Sequence, residues 1–289
     1  MSIFEFLSVL NIFLSISASV GNAMILVALH KETSLHPPTK LLFRCLAVTD
    51  LCVGVISQPL FASFLLLSAT TGINWKFLRY IDKLCNASSF VLCQVSVFTS
   101  SAISLDRLLA LLSGLRYRHV VTLARARAFI TCFWVTGILC GSMYFWNDSV
   151  AFTVAFAFTT ISLTASVVSY AKIFRKLRQQ QFQVHAAPQG QVNGRQATLN
   201  IARFKKSVSS VLWVQVSLIT CYIPFIVVVT LMTYRGMLGN KLSEITFCVP
   251  ATLTFSNSSL NPILYCWKIR SVRQAAKDTI KQLNCFKSD

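Results

Sequence analysis

Asp50, Asn257 and Asn261 each fall within a long apolar run of this 289-residue chain. A carboxylate in a hydrocarbon-soluble segment must be protonated, paired or bound to a cation, and an amide there must find a partner. Asp50 lies ten residues beyond Lys40, roughly 15 Å along a helix and thus at the bilayer midplane. No Lys or Arg occupies the outer or middle part of any apolar run. Asp50 therefore reads as a cation site within an amide network or as a neutral, hydrogen-bonded acid. Four residues after Ser258, Pro262 removes a helical N–H and frees the Ser258 carbonyl. At the inner end of the third run stands Asp106-Arg107, either a working pair or an arginine snorkelling to water beside an exposed aspartate. Tyr170 and Tyr265 close the fifth and seventh runs and are alternative partners for Arg107. No His/Cys metal spacing, phosphate-binding glycine loop or nucleophile–base pair occurs, so the chemistry is that of binding and switching, and the chain is no enzyme.

The elements that must hold these groups follow from composition. With 54% hydrophobic and 12% charged residues and mean hydropathy +0.61, the chain reads as a polytopic membrane protein. A helical span takes about 20 apolar residues. Seven candidates occur, at about 4–29, 40–67, 84–112, 126–146, 149–173, 208–233 and 243–266. The expected fold is an all-α integral membrane bundle of seven helices, one domain over 1–289. The first run lacks a basic leader and should remain as a span, and the short segment before it leaves no room for a folded ectodomain. No internal repeat supports an inverted-repeat transporter.

Charge orients the bundle. With the N-terminus outside, 22 of the 27 Lys and Arg fall inside, and Lys76, Arg79, Lys83, Arg235 and Lys241 fall outside. The net charge of +18 thus faces anionic lipid and a docking cytosolic protein, not nucleic acid, and the C-terminus is cytoplasmic. The first outer loop carries Trp75-Lys76-Phe77, the fourth and fifth spans are joined by only Asn147-Asp148-Ser149, and 178–204 reads as a disordered linker. Residues 268–284 have the spacing of an amphipathic surface helix, followed by Cys285 as a palmitoylation site or an unmodified thiol. Ser89, Cys93, Ser96, Ser100, Ile103 and Arg107 share one face of the third span. Pro59 and Pro224 should kink the second and sixth. Cys85 and Cys248, near the outer ends of spans 3 and 7, either pair or pack as thiols. Of the sequons, Asn257 is intramembrane, and Asn86 and Asn147 lie too close to the membrane to carry glycan.

Gly21-Asn22, Leu46-Ala47-Val48-Thr49-Asp50-Leu51, Asp106-Arg107-Leu108, Trp134, Tyr170, Cys221-Tyr222-Ile223-Pro224 and Asn261-Pro262-Ile263-Leu264-Tyr265 occur in the expected spans and order. Together they resemble the rhodopsin-like (class A) G-protein-coupled receptors over essentially the whole chain. The resemblance implies a ligand-activated plasma-membrane receptor that signals through heterotrimeric G proteins, with Asp106, Arg107, Tyr170, Tyr222, Pro224, Asn261, Pro262 and Tyr265 as its activation switch. It implies an allosteric sodium site at Asp50, Ser96, Asn257 and Asn261. It implies a ligand pocket lined by Phe61, Phe64, Ser89, Phe90, Cys93, Val154, Phe158, Tyr222, Phe225, Val229, Phe247 and Phe255. That lining is mostly apolar and suits a lipid-like, aromatic or otherwise apolar ligand, or a peptide end.

The departures from the family pattern are Leu108 and Tyr222 within motifs, Ser162 for the span 5 proline, and Asp82 at the span 3 cysteine position, so the common outer disulfide cannot form. The minimal loop between spans 4 and 5 with these losses is similar to melanocortin-type receptors, although Leu60 and Asn86 replace acidic residues of their peptide site. Phe255 stands at the retinal-lysine position and Ser89 at the amine-binding aspartate position. Phe204 replaces the span 6 acid that restrains Arg107, so ligand-free signalling is expected. A seven-span transporter or channel is the alternative, disfavoured because Asp50 is the single deep ionisable residue.

Overall fold

The structure, a computed structural model, describes residues 2–33, 35–70, 74–186, 192–235, 241–268 and 273–274. Ser2 opens the first helix with a capping box. Its hydroxyl accepts the Glu5 N–H, and the Glu5 carboxylate accepts the N–H of Ser2. Helix α1 then runs Ile3–Lys31, followed by α2 Pro37–Cys52, a π-helical turn Val53–Ser57, and α3 Gln58–Ala69. Next come α4 Trp75–Ser113, a 3-10 turn Gly114–Arg116, α5 Tyr117–Val120, α6 Leu123–Met143, α7 Asp148–Ala186, α8 Val192–Arg235 and α9 Lys241–Lys268. No strand occurs among the described residues. Six units are long and apolar enough to cross a membrane, with α2, the π turn and α3 counted as one. At 28 residues, α9 has the length of a seventh, but serines and asparagines dilute its apolar surface. The chain is thus an all-α membrane bundle, with α9 packed against α8 and α1.

Several local expectations are corrected. Trp75-Lys76-Phe77 is not loop but the first turn of α4, because the Asn74 side chain accepts the Lys76 N–H and starts the helix there. The linker at 178–204 is helical from both sides, α7 reaching Ala186 and α8 starting at Val192. Pro59 produces a π-helical turn before it: the Gln58 N–H bonds the Val53 carbonyl five residues back. Cys85 and Cys248 form no disulfide and pack in one apolar cluster. Cys285 and nearly all of the expected surface helix lie outside the described residues, as does the side chain of Phe204.

Two apolar cores lie on either side of a polar layer. One, at the end holding the N-termini of α1 and α4, includes Leu7, Phe61, Leu65, Leu92, Cys248 and Phe255. The other, at the basic end, includes Leu29, Leu46, Ile103, Leu108, Ile173, Val208 and Tyr265. A third, smaller one of Val97, Leu218, Cys221 and Tyr222 joins α4 to α8. Close approach of helices depends on small residues. On α6, a Cβ at Gly141 would lie 2.5 Å from Val91 Cγ2 and 2.9 Å from the Ala87 carbonyl oxygen of α4. In the π turn, a Cβ at Gly54 would meet Ser19 Oγ at 2.7 Å, and Ser15 Oγ already donates to the Gly54 carbonyl at 2.6 Å.

Gly141→Val should therefore destabilise the protein by about 1–3 kcal/mol, the usual scale of overpacking. Thermal unfolding in detergent should show a lowered Tm for this variant and little change for Leu139→Ile on the exposed face of the same helix.

Candidate functional site

The polar layer centres on Asp50, which is fully buried. Its Oδ1 accepts from Ser258 Oγ at 2.8 Å and from Ser96 Oγ at 3.4 Å, and its Oδ2 accepts from Asn261 Nδ2 at 2.6 Å. Three spans meet on one carboxylate. Asn257 makes no hydrogen bond to Asp50, and the hydroxyl of Ser258 joins the expected residues around it. The reason lies in α9, where Pro262 breaks the regular bonding pattern and the freed Ser258 carbonyl is drawn to α1. Asn22 Nδ2 donates to that carbonyl at 3.0 Å. The Pro262 ring sits so close to Gly21 that a Cβ there would lie 2.9 Å from two of its carbons.

The donors fit a hard monovalent cation. Asp50 carries the charge, Ser96 and Ser258 bring hydroxyl oxygens, and Asn261 Oδ1 is buried with no partner, as is Asn257 Oδ1 one turn earlier. An all-oxygen set suits Na⁺ better than a transition metal. No cluster of three His, Cys, Asp or Glu side chains occurs among the described residues.

Eleven residues from Ser96 along α4, Arg107 Nη2 pairs with Asp106 Oδ2 at 2.5 Å and donates to Thr39 Oγ1 at 2.9 Å. Thr39 Oγ1 donates to Asp106 Oδ2 at 2.9 Å, and the Tyr117 hydroxyl donates to Asp106 Oδ1 at 2.6 Å. Asp106 is only 4% exposed, so it is not the solvent-facing partner of a snorkelling arginine. Tyr117 lies on α5, outside the spans. Burial first, and its bond to Asp106 second, push its pKa up to about 12 and keep it a donor. Tyr170 and Tyr265 are buried near the same end, and neither hydroxyl has a hydrogen-bond partner. The structure thus brings Arg107 to Asp106 and not to either tyrosine.

A further contact joins α4 to α8. Gln215 Oε1 accepts from Ser100 Oγ at 2.9 Å and from Ser104 Oγ at 3.3 Å. Sequence reading missed Gln215, although Ser100 and Ser104 on one face of α4 called for a polar partner.

Towards the opposite end, a cavity of about 100 Å³ opens between α3, α4, α7, α8 and α9. Phe61, Ser89, Phe90, Cys93, Tyr222, Phe225, Val229, Phe247 and Phe255 line it as expected. Phe64, Val154 and Phe158 do not. Phe64 stacks behind Phe61 at 6.5 Å, and Phe158 sets its edge against Phe98 at 5.7 Å. On α7 the lining is instead Phe152, Ala155, Phe156 and Thr159. Ser162 leaves α7 regular where a proline would loosen the preceding turns, so a different face of the helix turns inward. Gln94 was also missed. It lies one turn beyond Phe90, and the face shared by Asn86, Phe90 and Gln94 was the signal available.

The family model described as 7 transmembrane receptor (rhodopsin family) matches residues 21–150 and 140–265. The chain belongs to that family. It is a ligand-activated, G-protein-coupled membrane receptor and not an enzyme. Similar relatives include a protein named Histamine H2 receptor from Canis lupus familiaris, 26% identical over 88% of this chain and 74% of the relative. The protein of the same name from Cavia porcellus is 26% identical over 93% of this chain and 77% of the relative. Gln215 ties α4 to α8, so any movement that parted these two helices would have to break both serine contacts. Gln215→Leu removes both serine contacts and should raise ligand-free nucleotide exchange on a G protein several-fold in nanodiscs. An unchanged basal rate would show that Gln215 does not restrain α8.

Proposed function

We propose that the receptor lies in the plasma membrane with the start of α1 outside and the Arg107 end in the cytosol. It responds to a neutral, largely apolar or aromatic ligand that enters the cavity. The observation that carries this reading is the position of cavity and switch at opposite ends of α4. Ser89 and Arg107 are 18 residues apart, roughly 27 Å, with the Asp50 layer between them. The excess of Lys and Arg at the Arg107 end supports the orientation.

The proposed activation is a population shift. With Arg107 held by Asp106 and Thr39, the inner ends of the helices stay closed. Ligand in the cavity bears on Tyr222 and Phe225, next to Pro224 in α8. A helix without the N–H of Pro224 bends there with little resistance, and its inner half swings away from α4. Arg107 then exchanges Asp106 for the unbonded hydroxyls of Tyr170 and Tyr265, and a G-protein helix enters the space. Ligand and G protein favour the same state, so each tightens binding of the other.

Few constraints oppose that shift, because the outer disulfide and the span 6 acid are missing. Moving the active state from 1% to 10% takes only about 1.4 kcal/mol. Reconstituted receptor should drive nucleotide exchange without ligand, and Arg107→Ala should abolish it. Equal basal rates in the two proteins would remove the support for this mechanism, and ion flux through reconstituted vesicles would favour the channel or transporter instead.

Sodium is the proposed occupant of the polar layer, held by Asp50, Ser96, Ser258 and Asn261. It supplies a positive charge that fixes the three spans in the closed arrangement. Replacing choline chloride with sodium chloride at constant ionic strength should raise the Tm of the purified receptor. Asp50→Asn should lose that increment; a sodium increment that survives the substitution would argue against the site.

The relatives are named for histamine, a cation at neutral pH. Among the described residues no carboxylate lines this cavity, so histamine is not the proposed ligand. Histamine should leave nucleotide exchange unchanged even at millimolar concentration, whereas a screen of neutral aromatic and lipid-like compounds scored by G-protein dissociation should yield agonists.

A further inference from the structure

We infer that the ligand carries a hydrogen-bond acceptor at its deep end, which receives its bond from Nε2 of Gln94. This deepens the reading of the cavity as the ligand site and rests on it. Gln94 is 3% exposed, lines the cavity, and leaves Nε2 with no hydrogen-bond partner. Its amide is oriented from the other side: the Thr159 hydroxyl of α7 donates to Oε1 at 3.3 Å. The oxygen end is therefore engaged, and the NH₂ end is left over.

Three other donors around the cavity are already committed, and the Tyr222 hydroxyl faces the Cys93 thiol. Ser89 Oγ donates to the Cys85 carbonyl at 2.7 Å, one turn back on its own helix. Thr254 Oγ1 donates to the Pro250 carbonyl at 3.1 Å. Asn86 Nδ2 donates to the Asp82 carboxylate at 2.7 Å and to its carbonyl at 3.0 Å. A ligand acceptor thus finds in Nε2 a buried donor with no partner to give up, while a ligand ammonium finds no carboxylate among the described lining residues. The remaining wall is aromatic and aliphatic, and about 100 Å³ holds a single ring, comparable to apolar cavities that take up benzene. The chemical class that fits is a small neutral aryl compound bearing a carbonyl or ether oxygen.

A bound acceptor also relieves a defect of the free receptor. A buried N–H without a partner is costly, and a ligand that satisfies it gains affinity over an isostere that cannot. Binding therefore discriminates at Gln94, while the aromatic wall supplies the bulk of the attraction.

The test uses three probes of one shape on the purified full-length receptor. These are acetophenone, its hydrocarbon isostere α-methylstyrene, and the cationic 1-phenylethylamine, with affinities taken from ligand-observed NMR titration. Acetophenone should bind at least about tenfold tighter than α-methylstyrene, a difference typical of one buried hydrogen bond, and the amine should bind weakest. In Gln94→Leu, and in the closer isostere Gln94→Met, the tenfold preference should vanish while the affinity for α-methylstyrene persists. Equal binding of ketone and hydrocarbon by the native receptor, or a preference that survives both substitutions, would overturn the assignment of Gln94. Ser89→Trp fills the cavity and should weaken all three probes. Undiminished binding in that variant, or no binding of acetophenone to the native receptor at its solubility limit, would instead overturn the cavity as the ligand site.

Discussion

The carbonyl of Ser258 has lost its helical donor to Pro262, and the amide of Asn22 replaces that donor from another helix. In lipid an unpaired carbonyl is costly, so this bond fixes where α9 lies against α1. Gly21 makes the approach feasible, since any side chain there would strike the Pro262 ring. With α9 so placed, Ser258 and Asn261 both face Asp50. Asp50 in turn reaches Ser96 on α4, and four spans become one hydrogen-bonded unit. A helical hydrogen bond that cannot form is thus the origin of the polar layer on which the rest of the bundle is registered.

That layer divides the protein into halves with different tasks. On one side, aromatic rings surround a small cavity with few free polar atoms. On the other, aliphatic packing surrounds Arg107 and its partners, and the two tyrosine hydroxyls have no bond to lose when the helices move. Helix α4 crosses both halves and contributes to the cavity, the Asp50 cluster and the Arg107 cluster. The serines along it serve more than close packing: Ser96 bonds Asp50, Ser100 and Ser104 bond Gln215 of α8, and Ser101 Oγ donates to the Ser162 carbonyl of α7 at 2.9 Å.

Polar residues in apolar runs were legible from sequence because lipid leaves them so few options. Asp50, Asn261, Asp106 and Arg107 could be assigned to clusters before any coordinates. The bond of Ser258 to Asp50 was not legible, because proline disturbs the helix at that point and neighbouring residues lie about 100° apart around a regular one. The lining on α7 was carried over from a family whose fifth span holds a proline, whereas Ser162 leaves this helix regular and brings Phe152, Ala155, Phe156 and Thr159 to the cavity. Gln215 and Gln94 were passed over since a single glutamine near serines differs little from the polar background of an entry segment. The extents of α4, α7 and α8 exceeded the apolar runs because helical bonding continues past the membrane-soluble part wherever a cap or a polar turn allows it.

The π-helical turn at Val53–Ser57 ties these halves together in a way that no side chain does. A π turn holds one residue more than an α turn, so it advances the helix by about 100° relative to an uninterrupted one. Asp50 precedes it and Phe61 follows it, and the turn sets Phe61 about 100° around the axis from the position, nearly above Asp50, that an uninterrupted α-helix would give it. Reverting the turn to α-helix without removing a residue would leave Asp50 in the polar layer and rotate Phe61 by about 100°. The angle between ion-binding chemistry and ligand-binding shape is thus set by one local bonding pattern in the backbone. Gly54 lies inside that pattern, where a Cβ would strike Ser19 of α1, so the turn and its packing are held by the same residue.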